Sequence, residues 1–77
     1  MRTIKVLGSG CPKCRQLAEN VTLAVHQLGL QAEIVKVTSI QDIMKYGVMM
    51  TPGLVVDEQV KSVGKVLSVD EIRDLLA

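Results

Sequence analysis

The sequence has no tryptophan and no phenylalanine, and Tyr46 is its single tyrosine. Any core must therefore be aliphatic, and the twelve valines and five isoleucines favour strands as its source. Histidine is nearly absent too: His26 stands alone, and Cys11 and Cys14 are the only cysteines. A four-ligand zinc site of cysteines and histidines cannot be completed within this chain. No stretch approaches the roughly 20 apolar residues of a membrane span. The opening "MRTIKVLGSG" has only a short apolar run, broken by Lys5, with no cleavage-site pattern after it, so it does not read as a secretion signal. A net charge of +1 gives no basis for nucleic-acid binding.

These absences describe a cytoplasmic chain with no membrane or nucleic-acid partner. At 77 residues it is expected to form a single domain, 1–77, and to act as a monomer. A chain this short buries only about 60% of its unfolded surface. A large enclosing cavity is therefore not expected, and chemistry should occur at the surface. Charge is unevenly spread. Residues 1–38 hold five basic and two acidic side chains, whereas residues 39–77 hold four and six. Lys13 and Arg15 of the basic half lie beside the cysteines.

The chain reads as seven elements without repeats or linkers. "TIKVL" (3–7) is a buried strand that "GSG" breaks. From Pro12 the pattern turns helical, with Cys14, Leu17, Ala18, Val21, Val25 and Leu28 on one stripe and Gly29 as the stop. "AEIVKV" (32–37) is a second strand. Ser39 can cap a short helix carrying Ile40, Ile43 and Met44 that ends near Gly47. "GLVVD" (53–57) and "VKSV" (60–63) flank a three-residue turn, Asp57-Glu58-Gln59. "SVDE" (68–71) is a capping box opening a last helix with Val69, Ile72, Leu75 and Leu76 on its apolar side. The order β-α-β-α-β-β-α predicts an α/β domain. Its first βαβ unit is parallel, the later strands form an antiparallel hairpin, and three helices flank a mixed four-stranded sheet.

The cysteine spacing carries the chemistry. Thiol exchange needs an exposed, stabilised thiolate and a second thiol able to resolve the mixed disulfide. In "GSGCPKC" Cys11 falls at a helix N-cap and Pro12 at the first helical position, where a missing N–H costs nothing. The Cys11 sulfur then faces the amides of Lys13 and Cys14 and the positive end of the helix dipole. Such placement lowers a thiol pKa from about 8.5 into a range of roughly 3.5–7.5. Lys13 and Arg15 act in the same direction. Cys14, one turn on and on the buried stripe, is the expected resolving thiol, and "GSG", ending in Gly10, leaves Cys11 without bulky neighbours so that a protein disulfide can approach.

Other roles for the pair are open at this point. As a structural disulfide it would close a loop worth only on the order of 2 kcal/mol, in a compartment that would reduce it. As a soft-metal module it could bind Cu(I) or supply half of a zinc site, as metallochaperones do with C-x-x-C between a first strand and a first helix. Those domains usually end on a strand, whereas "SVDEIRDLLA" ends this chain as a helix. A redox-inactive interaction domain would show an ordinary Cys11 thiol. His26 follows the apolar stripe and belongs toward solvent.

"VMMTPG" (48–53) adds a second motif, with a proline directly before a strand. C-P-K-C after the first strand, T-P before the third, then a hairpin and a final helix together resemble the thioredoxin–glutaredoxin superfamily. The chain is most similar to its small thioredoxin-like "redox-active disulfide" proteins. The resemblance spans essentially the whole chain and is most specific in "GSGCPKC", "TPGLVVD" and "VGKVLSVDEI".

The resemblance implies a thioredoxin-like fold and protein disulfide oxidoreductase activity, with no bound cofactor and no metal. Cys11 is then the attacking cysteine and Cys14 resolves. Thr51-Pro52 is a cis peptide packed against them, and Thr51 pairs with extended substrate beside Met50. Gly64 matches the glycine after the last strand. The implied partners are protein disulfides and a thioredoxin-reductase-like electron donor. The sequence also departs from the familiar W-C-G-P-C motif. Gly10 stands where that tryptophan would be, and the first strand offers no buried acid.

Overall fold

The computed structural model describes residues 2–77. Strand β1 (Arg2–Leu7) runs into helix α1 (Pro12–Leu28), followed by β2 (Ala32–Val37), the short α2 (Ile40–Lys45), β3 (Gly53–Val56), β4 (Gln59–Val63) and α3 (Val69–Leu76). The sheet order is β2-β1-β3-β4. β1 pairs parallel with β2 through α1, and β3 is antiparallel to both β1 and β4. This mixed four-stranded sheet with three helices is the architecture that the sequence predicts.

Alternation along the strands sorts the core into two unequal layers. Ile4, Val6, Leu54 and Val56 face α1 and α3, meeting Leu17, Val21 and Val25 of α1 and Ile72 and Leu76 of α3. The opposite face presents Leu7 and Val55 to Ile43 of α2 and to Val48, a smaller cluster. Beside the end of α2, a polar strap crosses this second face. The Lys5 ammonium donates to the Tyr46 hydroxyl (2.6 Å) and pairs with the Glu58 carboxylate (2.6 Å). Glu58, reinforced by Tyr46, raises the Lys5 pKa, and Lys5 in turn lowers that of Glu58.

The helix ends follow their sequence signals. Gly29 caps α1 in the left-handed region, and Ser68 and Glu71 close a reciprocal capping box on α3. Three details differ from expectation. The β3–β4 connection has two residues, not three. Asp57 and Glu58 both take positive φ (49° and 67°), while Gln59 already pairs with Val56. Two left-handed residues give the turn the twist that a tight hairpin needs. Bonds from Asp57 to Thr3 (backbone N–H to carbonyl 2.8 Å; carboxylate from Thr3 N–H 3.1 Å) hold it against β1. Further along, the ladder is irregular: Leu54 opposes Ser62 and Val55 opposes Val60, leaving Lys61 as the extra, bulged residue.

The second difference concerns helix ends. Leu28 and Leu75, in the last turns of α1 and α3, are partly exposed, whereas Ala24 and Leu76 are buried. The third lies in α2, where only Ile43 packs inward; Ile40 (67% exposed) and Met44 (57%) face solvent.

Candidate functional site

The loop from β1 to α1 places the two cysteines at the end of the sheet. Gly8 still belongs to the strand's pairing, its N–H donating to the Val37 carbonyl (2.9 Å). Gly10 then turns the chain with φ of +90°, a conformation that L side chains rarely adopt. Cys11 follows as the N-cap of α1, and Pro12 takes the first helical position. Cys11 and Cys14 form a disulfide, with their Cα atoms 5.1 Å apart. The Cys14 N–H donates to the Cys11 sulfur at 3.3 Å. Of the two amides expected to face that sulfur, only this one makes the bond among the described residues.

The two sulfurs differ in environment, as their positions on the helix dictate. Cys11, at the cap, is half-buried, whereas Cys14 is 5% exposed. Cys14 packs on Gly8 so closely that a Cβ built there would lie 2.8 Å from the Cys14 Cβ, and nearer still to its sulfur. Gly8 is thus a site residue that sequence reasoning did not single out. The glycine-rich "GSG" was the available signal, but only the packing of Cys14 shows which glycine the site depends on. Lys13 and Arg15 are exposed around the pair. Among the described residues no polar or charged side chain is buried, so no acid lies beneath the disulfide.

The second motif meets the first across a groove. The Thr51-Pro52 bond is cis. Pro52 is buried, and its carbonyl accepts the Gly64 N–H (2.8 Å), tying the loop to the end of β4. Met50 covers Gly64. Thr51 is exposed, and its own backbone N–H and carbonyl have no partner among the described residues. Thr51 and Ser9, two residues before Cys11, share a groove of about 290 Å³ whose remaining walls include Ile40, Met44 and Met49. No charged side chain lines it. Met49 is 84% exposed and Met50 63%. The structure therefore places Cys11, Cys14, Pro12, Lys13 and Gly10 in one loop–helix junction, and Thr51 on a groove that reaches that junction. His26 is exposed, as its position implied.

Comparison with known proteins agrees with this arrangement. The Thioredoxin domain family model matches residues 2–77. A thioredoxin of Methanocaldococcus jannaschii is 47% identical over 76 residues, covering 99% of this chain and 87% of that protein. A thioredoxin of Methanothermobacter thermautotrophicus is 38% identical over 77 residues, covering the whole of both. The chain belongs to the thioredoxin family and is a thiol–disulfide oxidoreductase.

Proposed function

We propose that Cys11 is the attacking thiol and Cys14 the resolving thiol in exchange with protein disulfides. The observation that carries this division is the difference between the two sulfurs. One is half-exposed at a helix N-cap and accepts a backbone N–H, and the other is buried one turn along. In the dithiol form, the Cys11 thiolate keeps the Cys14 N–H and the positive end of α1, and it gains from the exposed Lys13.

The reaction then balances in two steps. The Cys11 thiolate attacks one sulfur of the substrate disulfide, forming a mixed disulfide and expelling the other substrate sulfur as thiolate, which takes up a proton. Cys14 loses its proton and attacks the Cys11 sulfur. This forms the Cys11–Cys14 disulfide and expels the second substrate sulfur as thiolate, which takes up a proton from solvent. Two electrons and two protons pass to the substrate, and a dithiol donor of thioredoxin-reductase-like activity reverses the change in the protein. With no buried acid beneath Cys14, its proton leaves to solvent or to the departing substrate thiolate.

Substrate docks along the uncharged groove. Its extended chain pairs with the unpartnered backbone of Thr51 as an added strand, held beside Pro52 and against Met50 and Met49. Met side chains suit a surface that must accept varied apolar partners. The protein works in the cytoplasm as a monomer, where the pair cycles rather than serving as a fixed crosslink.

Alkylation of the reduced protein across pH, with mass-spectrometric location of the label, tests the assignment. Cys11 is expected to react first and to titrate below the free-thiol value of about 8.5, with Cys14 protected. Two cysteines of similar, unshifted reactivity would remove the basis for the roles and turn attention to soft-metal binding by the pair.

A further inference from the structure

On the other side of the disulfide from the methionines, α1 and β2 enclose a second groove. Lys36 shares its sheet face with Ile34, which packs toward α1, so its side chain also lies on the α1 side. There Lys36 and Arg15 wall an open groove of about 470 Å³ with Glu19, Thr22 and Leu23. Toward the cysteines the groove narrows to an opening of about 40 Å³, where Arg15 and Lys36 recur beside Thr38, Gly10 and Cys14. Two cations thus flank an opening that reaches the buried Cys14.

Among the described residues these cations have no acidic partner. The ion pairs among the described residues are Lys5–Glu58, Lys45–Asp42, Lys65–Glu71 and Arg73–Asp70. None includes Lys13, Arg15 or Lys36, and all three are exposed. Glu19 is the one acid on the groove, and it lines the wide part rather than the opening at the cysteines. Glu33 alternates to the opposite face of β2. The end of the groove that meets the disulfide is therefore positive, in contrast to the uncharged methionine groove.

We infer that this groove docks an acidic segment of a protein partner, adjacent to the cystine that Cys11 attacks. The inference rests on the exchange reading above and names the partner's chemistry. From Arg15 to Leu23 the wall spans eight helical steps, about 12 Å, which is three to four residues of extended chain. That length suits a peptide segment better than a small anion. The carboxylates meet Arg15 and Lys36, and Thr22 and Leu23 receive the chain beyond them. Complementary charge at this place orients the encounter, so its effect falls mainly on association rate and weakens with salt.

The test uses the reduced full chain and peptides of equal length, each with one internal disulfide flanked by aspartates, serines or lysines. Hydroxyethyl disulfide serves as a small neutral probe and dithiodiglycolate as a small anionic one. The aspartate peptide is expected to react about tenfold faster than the lysine peptide at low salt, with the difference largely gone near 0.5 M salt. Lys36→Gln should slow the aspartate peptide about two- to fivefold, the scale of one exposed ion pair, and leave hydroxyethyl disulfide unaffected. Lys61→Gln, on the opposite sheet edge, should do neither. Equal rates for the three peptides, or a preference that Lys36→Gln leaves undiminished, would overturn the inference. An equal advantage for dithiodiglycolate would also overturn it, in favour of a small anion. Failure to reduce hydroxyethyl disulfide would instead strike at the exchange reading itself.

Discussion

Replacing Gly8 with alanine tests how tightly the site is built. The new methyl carbon would sit 2.8 Å from the Cys14 Cβ, whereas carbon atoms rest at about 3.5–4.0 Å. The shortfall is near 1 Å, and little around it can yield. The Cys14 Cβ is fixed to the first turns of α1, and the Gly8 N–H is bonded to Val37. Overpacking of this kind costs about 1–3 kcal/mol. For a chain of this size each kcal/mol lowers the melting temperature by roughly 4–8 °C, so Gly8→Ala should melt about 5–20 °C below the parent. In the oxidised protein the disulfide holds the Cys14 sulfur against the added methyl, and in the dithiol that sulfur is free to turn away. Thermal melts followed by circular dichroism should therefore show the larger loss in the oxidised form. A melting temperature within about 2 °C of the parent in both forms would refute the close-packing account, since it corresponds to less than about 0.5 kcal/mol.

Three further outcomes follow from the same structure. Cys14→Ser should retain the first exchange step and accumulate a mixed disulfide with substrate, while Cys11→Ser should form none; non-reducing electrophoresis distinguishes them. The Lys5 contact lowers the Glu58 pKa, so the unfolded chain takes up that proton at a higher pH than the folded protein. The strap's contribution is thus present above the ordinary glutamate value and is lost as pH falls through the lowered one. Glu58→Gln should accordingly show a shallower fall in melting temperature between about pH 5 and pH 3, and an unchanged slope would rule out the strap as a source of acid sensitivity. Ser68→Ala removes the side-chain half of the α3 capping box and should cost about 1 kcal/mol, or roughly 4–8 °C in a thermal melt.

Much of the fold was legible because its signals are local. Periodicity marked the strands and α1, Ser68 with Glu71 marked α3, and Cys11 with Pro12 marked the start of the cysteine helix. What was not legible depends on residues distant in sequence. The Asp57-Glu58 turn carries neither glycine nor asparagine, and it is held by Thr3, which bonds the backbone and carboxylate of Asp57, and by Lys5, which bonds the Glu58 carboxylate, both more than fifty positions away. Nothing in "TIKVL" indicates that Lys5 would bond Tyr46 and Glu58. The apolar residues of α2 were readable as a helix pattern, but Ile40 and Met44 lie on the side that no other element covers, so they line a groove instead of a core. Gly8 stood in plain view within "GSG", yet its purpose depends on where Cys14 comes to rest.

The irregular pairing of β3 and β4 bears on whether a second molecule can extend the sheet. β4 is an outer strand, and Val60 and Val63 leave apolar surface along it, the kind of border that invites a second molecule to extend the sheet. At the bulge the spacing of that border changes by one residue, and the displaced residue is a lysine. An incoming strand would lose its register there and meet a positive charge at the same step. The domain thus carries a sticky margin whose rhythm is interrupted before a neighbour can follow it.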